Sequence, residues 1–154
     1  MTTREISAKF HEAIDTAAGR LRQITEESAS QPSRPAGWLR KQELGHLLDS
    51  AQNNHQRIAI AAIEGRYEGP TYAQNAWVDL HGYAEMPWAH LLRHWEERNW
   101  MLGRLIARIP EQRLSAPILL AGHDPMPLHA WIDDYIQHLQ HHVSTITAGQ
   151  LPGS

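Results

Sequence analysis

Eleven histidines and no cysteine in 154 residues make imidazole the side chain through which this protein would most readily hold a metal. Three of them fall together in DYIQHLQHHVSTI, as His138, His141 and His142. On a helix, His138 and His142 lie ~40° apart on one face, at the edge of an apolar stripe, while His141 lies ~140° from that stripe and should face outward. Imidazoles at i and i+4 are spaced as one helix must space them to offer two nitrogens to one ion. Two readings of the segment remain open at this point, a metal-binding pair or solvated and hydrogen-bonded histidines.

A third ligand would have to come from another helix. His46, in QELGHLLDSAQNNHQR, stands one to two turns from the start of its helix, and His138 and His142 stand a similar distance from the end of theirs. If those two helices are antiparallel neighbours, the three imidazoles reach one height. The helical wheel argues the other way, placing His46 ~160° from the Leu44/Leu48/Ala62 stripe on a face shared with Asp49, Ser50, Asn53 and Arg57. That face is either solvated or lines a polar cleft. His55 falls within the stripe and is expected as a hydrogen-bonded core residue. His11, His81, His90, His94, His123 and His129 have no partner at ligand spacing.

Much other chemistry is excluded. Without cysteine there are no disulfides, Cys-zinc sites, iron–sulfur clusters or thiol nucleophiles. No Gly-rich phosphate loop, Ser-His-Asp signature or pair of catalytic carboxylates is present, and no catalytic residue is assigned. A net charge of −3 and a pI near 6.4 give no footprint for nucleic acid or an anionic membrane. No run approaches the ~18 apolar residues of a membrane span, and MTTREISAKF lacks a signal peptide's apolar stretch, so a cytoplasmic protein is expected.

The elements that would position these residues are helical. With 42% hydrophobic and 20% charged residues, the composition is that of a folded domain, expected to be single over residues 1–154. Ile6, Phe10, Ala13, Ile14, Ala17, Leu21 and Ile24 recur at steps of three and four, predicting a helix over about residues 4–27. A second runs from about Leu39 to Glu64. A third starts after Pro87 and stops at Pro110, and a fourth begins around Pro127 and ends near Gly149. PILLAG reads as too short and isolated to found a sheet. The fold class expected is all-α, a four-helix bundle. The connection GRYEGPTYAQNAWVDLHGYAEM is far longer than bundles usually need and can cross the length of a helix. It would let the second and third helices run parallel, giving an up-down-down-up order. Its residues Tyr67, Tyr72, Trp77 and Tyr83 should pack down as an aromatic cover. Asn99, inside the third helix's stripe, braces the bundle or faces the cleft. Asp133 and Asp134 charge a solvent face or orient an imidazole. Leu44, Leu47 and Leu48 surround His46 on more than one side, predicting a homodimer through the second or third helix.

GWLRKQELGHLLDSAQNNHQR, WVDLHGYAEMPW, HWEERNWMLGRLIARIP and WIDDYIQHLQHHVSTI together resemble the DinB-like superfamily, over nearly the whole chain from about Trp38. The resemblance implies a four-helix bundle with a long connection between helices 2 and 3, often a homodimer. It also implies a metal triad of one histidine from helix 2 and two, four apart, from helix 4, which fall on His46, His138 and His142. Leu39 stands where similar sequences commonly have a Ser helix cap. The superfamily includes transferases and isomerases that use low-molecular-weight thiols, alongside many members without an assigned activity.

The expected function is a metal-dependent enzyme. Three neutral imidazoles on a divalent cation (zinc or nickel first, iron or manganese otherwise) leave positions open for water or a thiol. The cation lowers the pKa of what it binds, preparing transfer to a small electrophilic substrate or its hydrolysis. The alternative is a non-catalytic dimeric bundle that binds a metal or a small ligand.

Overall fold

The computed structural model describes residues 1–151. Four long helices form the bundle: α1 (Thr3–Leu21), α3 (Arg40–Glu64), α5 (Trp88–Ile106) and α6 (Leu128–Thr147). Two short helices lie in the connections, α2 (Glu26–Ala29) and α4 (Gln74–His81). The first helix ends earlier than its periodicity predicts, because Thr25 caps a new helix by accepting the Ser28 N–H through its hydroxyl at 3.1 Å. Apolar positions along each long helix meet in one core that includes Ile6, Phe10, Leu44, Ile58, Trp95, Leu102, Ile132 and Ile146.

Cross-helix contacts fix the directions. Arg40 Nε donates to the Ile146 carbonyl at 2.8 Å while Trp131 Nε1 donates to Asn54 Oδ1 at 2.7 Å, so α3 and α6 are antiparallel neighbours. Thr3 reaches the Ile109 carbonyl at one end, and Trp88 Nε1 reaches the Leu21 carbonyl at the other, so α1 and α5 are antiparallel. Lys9–Asp133 and Arg20–Thr147 run in step, making α1 and α6 parallel. The order is up-down-down-up, as the long connection predicts.

That connection is structured, and it corrects the reading of PILLAG. Strand β1 (Tyr67–Gly69) pairs in parallel with β2 (Pro117–Leu120), and β2 pairs antiparallel with β3 (Met126–Pro127). Ile118 is fully buried, so a short strand that looks isolated in sequence acquires both a partner and a core position. This sheet sits where α3 ends and α6 begins, with the Leu128 N–H donating to the Ala116 carbonyl at 2.8 Å. Tyr72, Trp77, His81 and Tyr83 then follow one another at ring spacings of 5.1–5.9 Å, so three of the four expected aromatic residues form a cover with His81, while Tyr67 lies in β1.

Leu39 caps α3 without a side-chain acceptor, and Gln42 instead reaches back to accept the Leu39 N–H at 2.9 Å. The Glu26 carboxylate gathers three elements, pairing with Lys41 of α3 and accepting the Trp88 N–H that opens α5. Leu44, Leu47 and Leu48 are buried by the chain itself at 0%, 1% and 6% exposure, which removes them as the basis for a dimer. No helix among the described residues is long and apolar enough to cross a membrane.

Candidate metal centre

His46, His138 and His142 come together between α3 and α6. His138 Nε2 lies 3.2 Å from His46 Nε2 and 3.1 Å from His142 Nε2. Ligand atoms of all three lie within 4.8 Å of one another, and no other such group of three or more His, Asp or Glu occurs among the described residues. The antiparallel pairing of α3 and α6 puts the three at one level, and the i,i+4 step turns both α6 imidazoles towards α3. His141 is exposed on the other side, as its angle predicts.

The wheel objection to His46 fails because the first half of α3 is enclosed on every side. Residues 43–51 are all buried, His46 itself at 1% exposure. The Trp38 ring covers it at 5.3 Å from one direction, while His138 and His142 face it from α6. Next to it, Gly45 has no room for a side chain, since a Cβ there would collide with the Tyr83 ring. That contact brings the crossover onto α3, where the Tyr83 hydroxyl donates to Asp49 Oδ1 at 2.6 Å.

The site favours neutral imidazoles. Burial, then the neighbouring His142 and His138, lowers the His46 pKa to about 3. Burial, with His142 and His141, lowers that of His138 to about 4. Neutral imidazole is the form that binds a metal, so the donor set fits a divalent cation. One carboxylate stands behind the three imidazoles. Glu43 Oε1 is 2.6 Å from His142 Nδ1, the arrangement that fixes the tautomer and aims Nε2 at a metal. Glu43 escapes sequence inspection because its partner is 99 positions away; the available signal is that it precedes His46 by three residues on the same helix.

Other expected residues divide. Asn99 braces the bundle, accepting the Tyr135 hydroxyl at 2.6 Å and donating to the Trp95 carbonyl. Asp133 pairs with Lys9 and Asp134 is exposed, so neither orients an imidazole. His55 is only half-buried, in a groove shared with His94, Glu97 and Arg98, and is not a core residue.

On one side of the cluster lies a cavity of about 170 Å³, with His138 in its wall. Its wall also includes Asn54 and Arg57 of α3, Trp131, Asp134 and Tyr135 of α6, Tyr72 of the crossover and Leu120 of β2. Burial, with the Asp49 charge, pushes the Tyr72 phenol up to about 12, so it stays protonated at neutral pH.

The fold and site define a four-helix bundle in which three imidazoles that could hold a metal converge beside a small cavity. The DinB superfamily model matches residues 9–146, and the chain belongs to that superfamily. It is 22% identical over 144 residues to YfiT of Bacillus subtilis, covering 93% of this chain and 77% of that protein. A Bacillus licheniformis protein, named like YfiT as a "putative metal-dependent hydrolase", is 24% identical over 127 residues, or 82% of this chain and 72% of the relative. The solved structure of YfiT, described as a probable metal-dependent hydrolase with an unusual four-helix bundle topology, superposes with a TM-score of 0.81 at 21% identity, covering 92% of this chain and 83% of that one. The mycothiol-dependent maleylpyruvate isomerase superposes with a TM-score of 0.80 at 13% identity, all of this chain matching 64% of that longer one.

Proposed function

We propose that the protein is a metal-dependent hydrolase of small substrates, with His46, His138 and His142 as its metal ligands. The observation that carries this is the convergence of three Nε2 atoms beside a cavity that His138 itself lines. When bound, a divalent cation supplies a Lewis acid that lowers the pKa of coordinated water towards neutrality. The chain's own contribution is to hold the donors neutral by burial and to orient His142 through Glu43. Tyr72 and Trp131 wall the cavity with aromatic rings that position a substrate and exclude water around it. Zinc or nickel is the expected ion, with iron or manganese as alternatives.

Water is preferred to a low-molecular-weight thiol as the nucleophile because of size. The cavity of about 170 Å³ is smaller than the ~300–1,000 Å³ of sites that enclose drug-sized ligands, so a bulky thiol together with an electrophile would extend beyond it into solvent. Thiol transfer is the second reading, favoured by the fold shared with the mycothiol-dependent isomerase.

The test uses protein prepared without metal-affinity resin, loaded in turn with zinc, nickel, iron and manganese. Each form is screened against small esters and amides, with and without thiols. Metal-dependent, thiol-independent hydrolysis that disappears in His46→Ala, His138→Ala and His142→Ala, while His141→Ala keeps it, is the expected result. Turnover only with an added thiol would establish the second reading, and no turnover with any ion would favour a non-catalytic bundle.

A further inference from the structure

Arg57 has no task in the reaction just described, yet its surroundings are those of a recognition group. It is a buried cation, at 6% exposure, and it lines the same cavity as His138. Eleven positions separate it from His46, about three turns, so both side chains leave α3 on the same side. Two aromatic rings hold the guanidinium, with Cζ 5.9 Å from the centre of Tyr72 and 5.8 Å from that of Trp131. Trp131 is itself fixed by its bond to Asn54. Arg57 makes one long hydrogen bond, from Nη2 to the Pro70 carbonyl at 3.4 Å. Among the described residues no carboxylate lies within ion-pair distance of it.

A buried charge is normally paired, and here the unpaired donors belong to a residue that lines the cavity. The ring faces orient the guanidinium without saturating its in-plane N–H groups, which form a fork matched to a carboxylate. Charge sets the valence of the partner. Arg57 is the one Arg or Lys among the described lining residues, and Asp134 stands opposite in sign at the rim, so a singly charged anion suits the cavity better than a phosphate dianion.

We infer that this cavity binds a small organic carboxylate through Arg57. Resting on the hydrolase reading for its consequence, this makes the substrate class a small ester or amide that carries a second, free carboxylate. Binding itself can be tested apart from that reading, on chelated protein, by following the Trp131 indole N–H resonance during titration. Benzoate and benzamide are the probes, alike in shape and different in charge, with inorganic phosphate as a third arm. The expected result is saturable benzoate binding, about tenfold or more tighter than benzamide, and weakened by a similar factor in Arg57→Met. Arg57→Lys keeps the charge and loses the fork, so it should fall between the two; it also carries the comparison if Arg57→Met loses its helical circular dichroism. Equal affinity for benzoate and benzamide, undiminished benzoate binding in both Arg57 variants, no benzoate binding at all, or tighter binding of phosphate than of benzoate would each overturn the assignment. None of these results depends on turnover, so loss of the hydrolase reading and loss of the carboxylate site are separable.

Discussion

Replacing Glu43 should weaken metal binding without unfolding the bundle. Glu43 is buried at 1% exposure, and its Oε1 lies 2.6 Å from His142 Nδ1, while its Oε2 makes no hydrogen bond to any described residue. Among the described residues its side chain therefore bonds to one partner, the proposed ligand His142. Partners of this kind change metal affinity by about 10–100-fold, or roughly 1.4–2.7 kcal/mol. Glu43→Gln keeps an oxygen that can accept the Nδ1 proton but loses the charge, which places it at the lower end of that range. Glu43→Ala leaves His142 Nδ1 unpaired and its ring free to turn, which places it at the upper end. Competition against a chromophoric chelator at pH 7.5 reads both, with zinc as the ion. Thermal melting of the chelated variants is the control, because an unmade bond to a half-buried imidazole should cost only about 1–3 kcal/mol of stability. If both variants hold zinc within about twofold of the wild type, the carboxylate does not position His142 and the reasoning fails.

Two further outcomes follow from the burial of the cluster and from the packing beside it. In chelated protein, His46 and His138 carry pKa values lowered to about 3 and about 4, against about 6.5 when unfolded, so the unfolded chain binds protons that the folded cluster refuses. Their contribution to stability is complete above pH 6.5 and is lost as pH falls towards 4, which denaturant midpoints at pH 7.5, 5.5 and 4.5 should show as a slope that shrinks in His46→Gln; an unchanged slope would contradict it. Gly45→Ala should cost about 1–3 kcal/mol by driving the Tyr83 ring off α3, visible as a lowered melting temperature, whereas an unchanged melting temperature would mean that the crossover yields freely.

The lowered pKa values also bear on the metal. Protons compete less well for His46 and His138 than for free imidazole, so the site should keep its ion below pH 6.5.

What could be read from the sequence was what lies within one helix. The spacing of His138 and His142, the outward direction of His141, and the helical stripes are properties of 3.6-residue periodicity, and the structure places them accordingly. The up-down-down-up order was legible too, because the length of a connection limits where the next helix can begin. The wheel misjudged His46 because it assigns a helix one buried face, and the first half of α3 is enclosed by Trp38, Tyr83 and α6 together. The same enclosure buries Leu44, Leu47 and Leu48 within one chain, so their number says nothing about a dimer. Strand β2 was illegible for a related reason, since its parallel partner β1 lies some 50 residues away, its nearby partner β3 is only two residues long, and PILL carries no alternation to announce a sheet. Glu43 and Arg57 belong with these. Their roles come from α6 and from the fold of the crossover, whose placement over α3 no periodicity within α3 announces.

The central claim is that three imidazoles hold an ion whose remaining positions are open to water. X-ray absorption spectroscopy of the zinc-loaded protein, prepared without metal-affinity resin, tests it most directly. The account predicts one zinc per chain, with three imidazole nitrogens at ~2.0–2.1 Å and at least one oxygen that exchanges with solvent. A closed shell of four protein ligands would make the ion structural, and a protein that retains no stoichiometric zinc would contradict the metal centre altogether.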